Sequence, residues 1–406
     1  MKFTQLLRKQ HIDRAKNWLW YHQRDRTVQV SKAEAILASM NIPVEDANAF
    51  AIRSTENLII KEKFENPFPI KDVNENSKTY LMIGDLYTLQ EGVQQASLLT
   101  KTVQVEDKLP KKVTDLITDV PCNIDTLVER FVRSSVIYDP EQVKLPKIKD
   151  PERPSWVYPR VFGLSSTRKV HNLFKKLLQL CESLSGLSIA QNRFIVSDGL
   201  LSTFIEKENR FLNFSTKMDI MMTSMMPLAP IADVNIHNEL KMPNIYPLHS
   251  TAGLTKSEIY DSTDLYPINK ESPLMNVHTI FVNYDPSKVK NLTELPVTEN
   301  QIHARSLTQS FTTAATYARQ RFGKDVKALP EPVVVQCIQS DGQNFYFSVY
   351  QLNTLDIDGE EGIRNFWWAE PTIKLYEFAG YKEGQPYLDG YNSDVFKRLL
   401  AFYRNN

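Results

Sequence analysis

Residues 332–352 read PVVVQCIQSDGQNFYFSVYQL, two β-rich runs on either side of Asp341-Gly342. Valine, isoleucine, phenylalanine and tyrosine suit a pleated surface, and an Asp-Gly pair between such runs is a strong short-range signal for a β-hairpin. Working outward, Leu307, Phe311, Ala314, Ala315, Ala318 and Phe322 recur at helical spacing, and Gly323 stops that helix. Thr279 to Tyr284 reads as a strand, and a further strand falls near Ile373 to Phe378. Ser393 caps a terminal helix that turns Phe396, Leu399, Leu400 and Tyr403 inward. The expected class is α+β, a mixed and largely antiparallel sheet with packed helices, preceded by a helical and extended N-terminal region.

Further upstream, Ser165 or Ser166 caps a helix that runs to about Ser185 and ends at Gly186. Val170, Leu173, Phe174, Leu177, Leu178, Cys181 and Leu184 form its apolar face. Residues 192–215 alternate in short runs, as strands joined by tight turns do. Met218, Met221, Met222, Met225 and Met226 follow at helical spacing and Pro227 ends the run, so a methionine-rich helix in the core or at a subunit interface is expected. Residues 227–300 are otherwise proline-punctuated and loop-rich. Before the helix, Pro140, Pro146, Pro151, Pro154 and Pro159 exclude regular helix or central strand. Short helical faces occupy the region before them: one within Tyr87–Lys101, one opened by Pro110, one capped by Asn123 or Asp125. The expected organisation is a basic N-terminal segment over 1–30, a helical region over 31–137, a proline-rich basic linker over 138–163 and an α+β body over 164–406.

Composition narrows the function. Among 406 residues, 42% are hydrophobic and 24% charged, enough apolar mass for a sizeable core. Lys+Arg and Asp+Glu are both 48, so nucleic-acid contact must come from local patches rather than from the whole chain. The three cysteines, Cys122, Cys181 and Cys337, form neither a disulfide framework nor a zinc knuckle. Glycine is scarce, 13 residues, and neither G-x-G-x-x-G nor G-x-x-x-x-G-K-[ST] occurs. A nucleophile elbow is also missing. The seven histidines are scattered, and a lone one such as His303 reads as a packed or surface residue. Asp356, Asp358, Glu360 and Glu361 fit no register of a calcium loop and read as a solvated acidic loop. No cofactor, metal or small-molecule substrate is expected, no run is long enough to span a membrane, and the chain is not expected to be an enzyme.

The charge is segregated. Residues 144–176 carry nine basic residues against Asp150 and Glu152, with Trp156, Tyr158 and Phe162 interleaved, whereas 351–394 carry nine acids and three bases. Cations neutralise phosphates while aromatic rings dock against sugars and bases. The candidate RNA contacts are Lys147, Lys149, Arg153 and Trp156 on the extended strip, with Arg168, Lys169, Lys175 and Lys176 on the helix. A solvated face plus a charged linker is the other reading of the same residues. Residues 1–26 hold seven basic residues against Asp13 and Asp25, and Phe3, Leu6, Leu7 and Ile12 can form an apolar stripe. Such a segment reads either as a mitochondrial import helix or as a basic surface helix.

The stretch EPVVVQCIQSDGQNFYFSVYQLNTLDIDGEEGIRNFWW at 331–368 resembles the C-terminal signature of the mitochondrial large-subunit ribosomal protein thirty-seven family. LQEGVQQASLLTKT at 89–102, LPKKV at 109–113 and VFKRLLAFY at 395–403 are similar to the same family's segments in the same order. The resemblance implies a non-catalytic component of the mitochondrial ribosome's large subunit in the matrix. Implied partners are large-subunit rRNA and other mitochondrial ribosomal proteins, including a related paralogue once assigned to the small subunit and linked to programmed cell death. The alternative is a free mitochondrial RNA-binding or protein-interaction factor without catalytic activity.

Overall fold

The computed structural model describes residues 32–44, 80–139, 141–145, 152, 155, 159, 161–234, 240–257, 264–293, 295–359 and 361–406. The basic segment expected over 1–30 lies outside them. The chain divides into two compact units, Met1–Asn76 and Ser77–Asn406. In the first, helix α1 (Lys32–Ser39) is the described element.

The second unit begins with β1 (Tyr80–Ile83), α2 (Gly92–Thr100), β2 (Thr102–Glu106), the single turn α3 (Lys111–Thr114) and α4 (Cys122–Val132). A wider helical turn, Arg133–Ile137, continues α4. The two-residue strands β3 (Val143–Lys144) and β4 (Phe162–Gly163) precede α5 (Ser166–Ser185) and the short α6 (Leu187–Ala190). Next come β5 (Arg193–Lys207), β6 (Arg210–Ser224), β7 (Thr255–Lys256), β8 (Asn276–Asn283) and the long α7 (Glu299–Phe322). The chain then runs through β9 (Ala328–Ser340), β10 (Asn344–Thr354), β11 (Asn365–Ala369), β12 (Ile373–Lys374), β13 (Phe378–Lys382), β14 (Gln385–Asp389) and α8 (Ser393–Arg404).

The main sheet runs β2-β11-β10-β9-β8-β6-β1-β7, with β5 also on β6 and β12 on β10. Most pairs are antiparallel; β8–β9, β2–β11 and β1–β6 are parallel. The α+β expectation holds. At the centre, the expected hairpin pairs Phe347 with Ile338 and Tyr350 with Val335. Asp341 Oδ1 accepts from the Gln343 and Asn344 amides at 2.8 and 2.7 Å, and Gly342 takes φ +99° at the turn. A side chain at that φ would be strained, which is why the turn carries glycine.

Helices cover both faces. On one, α2 and α7 pack Ala96, Leu99, Leu307, Phe311 and Ala314 against Val333, Val335, Cys337 and Tyr350. On the other, α4, α5 and α8 pack Val128, Phe174, Leu177, Phe396 and Phe402 against Val334, Ile338, Phe345 and Phe347. A strand covered on both sides has no solvent face, so its sequence reads as an apolar run instead of an alternation. Helix α7, started by a capping box between Thr298 and Gln301, is itself enclosed. Its buried Ser310, Thr312, Thr313 and Thr316 hydroxyls donate to carbonyls one turn back, so no polar group is left unpaired by their burial. At the end of α8, the Arg193 guanidinium donates to the carbonyls of Tyr403 and Asn405. His278 Nε2 lies 2.7 Å from the Asn405 oxygen. A carbonyl only accepts, so Nε2 carries the proton; burial holds the ring neutral, its pKa lowered to about 3.

Several expectations are corrected. The methionine-rich segment is not a helix: Met218, Met221 and Met222 lie on β6 and are fully buried, while Met225 and Met226 follow the strand and are exposed. Leu212, Phe214 and Met218 face one core cluster and Ile220 and Met222 the other, the change falling opposite Asp198, a non-glycine residue at φ +56°. Residues 192–215 are not short strands but part of one long hairpin, whose tip residues Glu208 and Asn209 both take left-handed φ, as a type I′ turn requires. The region read as mostly helical also supplies β1 and β2, two strands of the main sheet. Helix α4 starts at Cys122 behind Pro121 rather than at Asn123 or Asp125, and Asn392, not Ser393, caps α8. Strand β11 was not foreseen.

Phe311 on α7 meets Phe214 edge-on at 4.8 Å and Tyr350 at 6.2 Å, tying helix to sheet. Phe311→Ala is expected to cost about 3–5 kcal/mol of unfolding free energy in a denaturant titration. The exposed Met226→Ala should stay within about 0.5 kcal/mol. Equal losses for the two would contradict this placing of the core.

Candidate nucleic-acid interface

Helix α5 is built as its sequence implies. The Ser165 hydroxyl accepts the Arg168 amide at the N-cap, and Val170, Leu173, Phe174, Leu177, Leu178 and Cys181 are buried against the sheet. A helix that buries that stripe must carry Arg168, Lys169, Lys175 and Lys176 on its remaining surface. The structure separates these four cations into two kinds.

Arg168 and Lys176 are tied to the preceding segment. Arg168 Nη2 donates to both Asp139 carboxylate oxygens at 3.0 and 3.2 Å, and Nη1 lies 2.6 Å from Glu141. Asn172 adds a third donor to Asp139 at 2.8 Å. One turn further, Lys176 Nζ donates to the Ser134 carbonyl and hydroxyl at 3.1 and 2.8 Å. Burial lowers the pKa of this ammonium below the ordinary lysine range. Together these bonds fasten Ser134, Asp139 and Glu141 to α5. Lys169 and Lys175, by contrast, have no carboxylate partner among the described residues. Lys288 reaches the first turn of α5, donating to the Thr167 hydroxyl at 3.0 Å.

Lys147, Lys149, Arg153 and Trp156 lie outside the described residues. The two ends of their loop are described. Val143 pairs with Gly163 and Lys144 with Phe162, and the Leu145 amide donates to the Val161 carbonyl at 2.9 Å. Leu145 packs over Gly163, where a Cβ would come within 2.8 Å of Leu145 Cδ1 and displace that side chain. The ladder brings residues 143–145 beside 161–163, just ahead of α5. Phe162, one of the interleaved aromatics, stands on it 62% exposed.

Elsewhere, His303 is packed edge-on against Tyr346 and Trp367, and burial lowers its pKa. In the acidic loop Asp358 accepts the Glu208 amide at 2.8 Å and its carbonyl accepts Lys101 Nζ; Glu360 lies outside the described residues. No described helix is long and apolar enough to cross a membrane. The sequence reading missed Asp139, Glu141 and Ser134 as the groups that hold the helix cations. No sequence signal links them, since Asp139 and Ser134 lie 29 and 42 residues away from their partners and Glu141 is almost as distant from Arg168 as Asp139 is.

Asp139 is nearly buried, which pushes its carboxyl up; the Arg168 guanidinium, the Glu141 amide and Asn172 outweigh burial and hold it below the usual aspartate range. A carboxyl lowered by folding stabilises the native state above its unfolded pKa, near 4, and loses that contribution as pH falls through the folded value. Asp139→Asn should therefore melt below the parent at pH 7, and the difference should close as pH drops below about 4. A difference that stays constant across that window would contradict the ion pair.

Comparison with known proteins places the chain. The family model described as mitochondrial 28S ribosomal protein S30 (PDCD9) matches residues 281–406. That span runs from β8 through α7 and the central hairpin to α8. The large ribosomal subunit protein mL37 of Bos taurus is 29% identical over 334 residues, 78% of this chain and 72% of its own. The mL37 proteins of Rattus norvegicus and Gallus gallus are 28% and 27% identical over 339 and 329 residues, covering 78% and 77% of this chain and 72% and 71% of theirs. The chain is thus similar to mL37 over most of its length, and a mitoribosomal family model matches it through its sheet core and last helix.

Proposed function

We propose that the chain is a structural constituent of the large subunit of the mitochondrial ribosome, acting in the mitochondrial matrix by holding rRNA and neighbouring ribosomal proteins in place rather than by catalysis. The observation that carries this reading is the similarity to mL37 across three quarters of the chain. The related paralogue, to whose name the matching family model points, is among the proposed protein neighbours.

The RNA contact is assigned to α5 and the loop before it. Lys169 and Lys175 have no carboxylate partner among the described residues, and Lys147, Lys149, Arg153 and Trp156 are proposed from the sequence as further contacts. Arg168 and Lys176 hold the α5 scaffold through their bonds to Asp139, Glu141 and Ser134. Phosphate contacts of this kind set position and carry little sequence information. An rRNA fragment would be held by a fixed helix, which suits an architectural component.

Sedimentation of mitochondrial lysate with and without EDTA tests the ribosomal assignment. The chain should co-migrate with large-subunit markers after the subunits dissociate, whereas migration only at the top of the gradient would favour a free factor. For the RNA contact, Lys169→Glu with Lys175→Glu should weaken binding to large-subunit rRNA in a filter assay and reduce the salt slope by about one per lysine. The melting temperature should not change. Unaltered affinity and slope would remove α5 from the interface.

A further inference from the structure

We propose that the outer face of the β13–β14 hairpin is a docking surface for an arginine-bearing extended segment of a neighbouring protein. The inference does not depend on the RNA contacts proposed above, because it lies on the acidic part of the chain and concerns a different class of partner.

The hairpin has two distinct faces. Phe378 pairs with Asp389, Gly380 with Tyr387 and Lys382 with Gln385, so these six residues share one face. Ala379 and Leu388 lie on the other and pack into the core cluster beneath. The ribbon is also fixed at its base: Gln343 Nε2 donates to the carbonyls of Tyr376 and Glu377, and the Glu377 amide donates to Asp389. The outer face is therefore displayed on a firm support.

Two aromatic rings occupy that face in the open. Phe378 is 50% and Tyr387 37% exposed, with centroids 6.4 Å apart. Gly380 makes room for them: a Cβ there would lie 2.8 Å from Phe378 Cζ, so the ring sits across the position that any other residue would fill. Aromatic faces are electron-rich and attract cations, guanidinium above all because it also stacks. The hairpin already shows the interaction with its own cation, since Lys382 Nζ stands 5.1 Å over the Tyr387 ring.

Charge selects the occupant. Exposed Glu377, Glu383 and Asp389 rim the rings, against Lys382 and a Lys374 that is 2.8 Å from Glu377. Carboxylates repel phosphate, so a nucleic acid is disfavoured even though the rings alone could stack on bases. A guanidinium can lie on a ring and bond a carboxylate at the same time. An extended segment with arginine at alternate positions meets both requirements.

The test uses the full chain and a fluorescein-labelled Arg-Ser repeat peptide, read by fluorescence anisotropy. A Glu-Ser repeat and a short labelled oligouridine serve as comparisons. The Arg-Ser peptide should bind and the other two should not compete at this face. Phe378→Ala with Tyr387→Ala should weaken binding about tenfold, the loss of two partly exposed cation–π contacts. Glu383→Lys with Asp389→Lys should weaken it further at low salt than at high salt. Phe378→Tyr with Tyr387→Phe, which keeps both rings, should retain it. Failure of the peptide to bind, or binding that survives both the alanine and the lysine pairs, would overturn the proposal. So would oligouridine binding that the alanine pair abolishes. Because the rings and acids are exposed, unchanged melting temperatures identify the loss as one of contact.

Discussion

A central sheet buried on both faces is the constraint from which the rest of the architecture follows. Val335 and Cys337 are buried on one face and Val334, Ile338, Phe347 and Val349 on the other, so the sheet needs partners above and below it. Helix α7 and α2 supply one layer, and α5, α8 and α4 the other. The consequence reaches the surface. Because α5 must press Leu173, Phe174 and Leu177 inward, its register is fixed, and so are the directions in which its cations point. The helix cations and the exposed hairpin rings are both displayed from elements whose other side is buried in the same cluster.

The same constraint explains what the sequence made legible and what it concealed. The hairpin around Asp341-Gly342 could be read because turn chemistry is local. Helix α5 was equally plain, with Ser165 before it, Gly186 after it and a 3.6-residue stripe between. Strand β11 was hidden because Asn365–Ala369 is short and wholly buried, leaving no period to count. Met218, Met221 and Met222 fit helical spacing by coincidence: β6 is covered on both sides, so its residues are free to be apolar at successive positions. The β5–β6 hairpin was broken up in the reading because its tip, Glu208-Asn209, bends without glycine.

At the candidate site, residue type was legible and employment was not. Arg168 and Lys176 have the same charge as Lys169 and Lys175, and a count along 144–176 weighs all four alike. Folding divides them. Asp139 and Ser134 take two of the cations for internal bonds, and only contacts across the fold reveal that allocation. A basic stretch therefore overstates the charge open to a phosphate by the part that holds the protein together. The opposite holds for the acidic stretch. Residues 351–394 are strongly acidic in sequence, yet they contain buried Trp367 and Trp368 and a ribbon with two exposed rings.

The parallel pairing of β2 with β11 bears on how the chain comes together in time. Thr102 lies beside Asn365, and Asn365 Nδ2 donates to the Thr100 carbonyl across 265 residues of sequence. Contacts so distant along the chain are entropically slow to close. A chain delivered from its N-terminus would carry β2 without its neighbour until the last quarter had arrived. For that interval the strand is open on both edges, including the one β11 later covers, and ready to pair with any other extended polypeptide. Completion of the sheet is thus a late event, and a chaperone that shields β2 during synthesis and transport would act where the topology leaves the chain most exposed to misassembly.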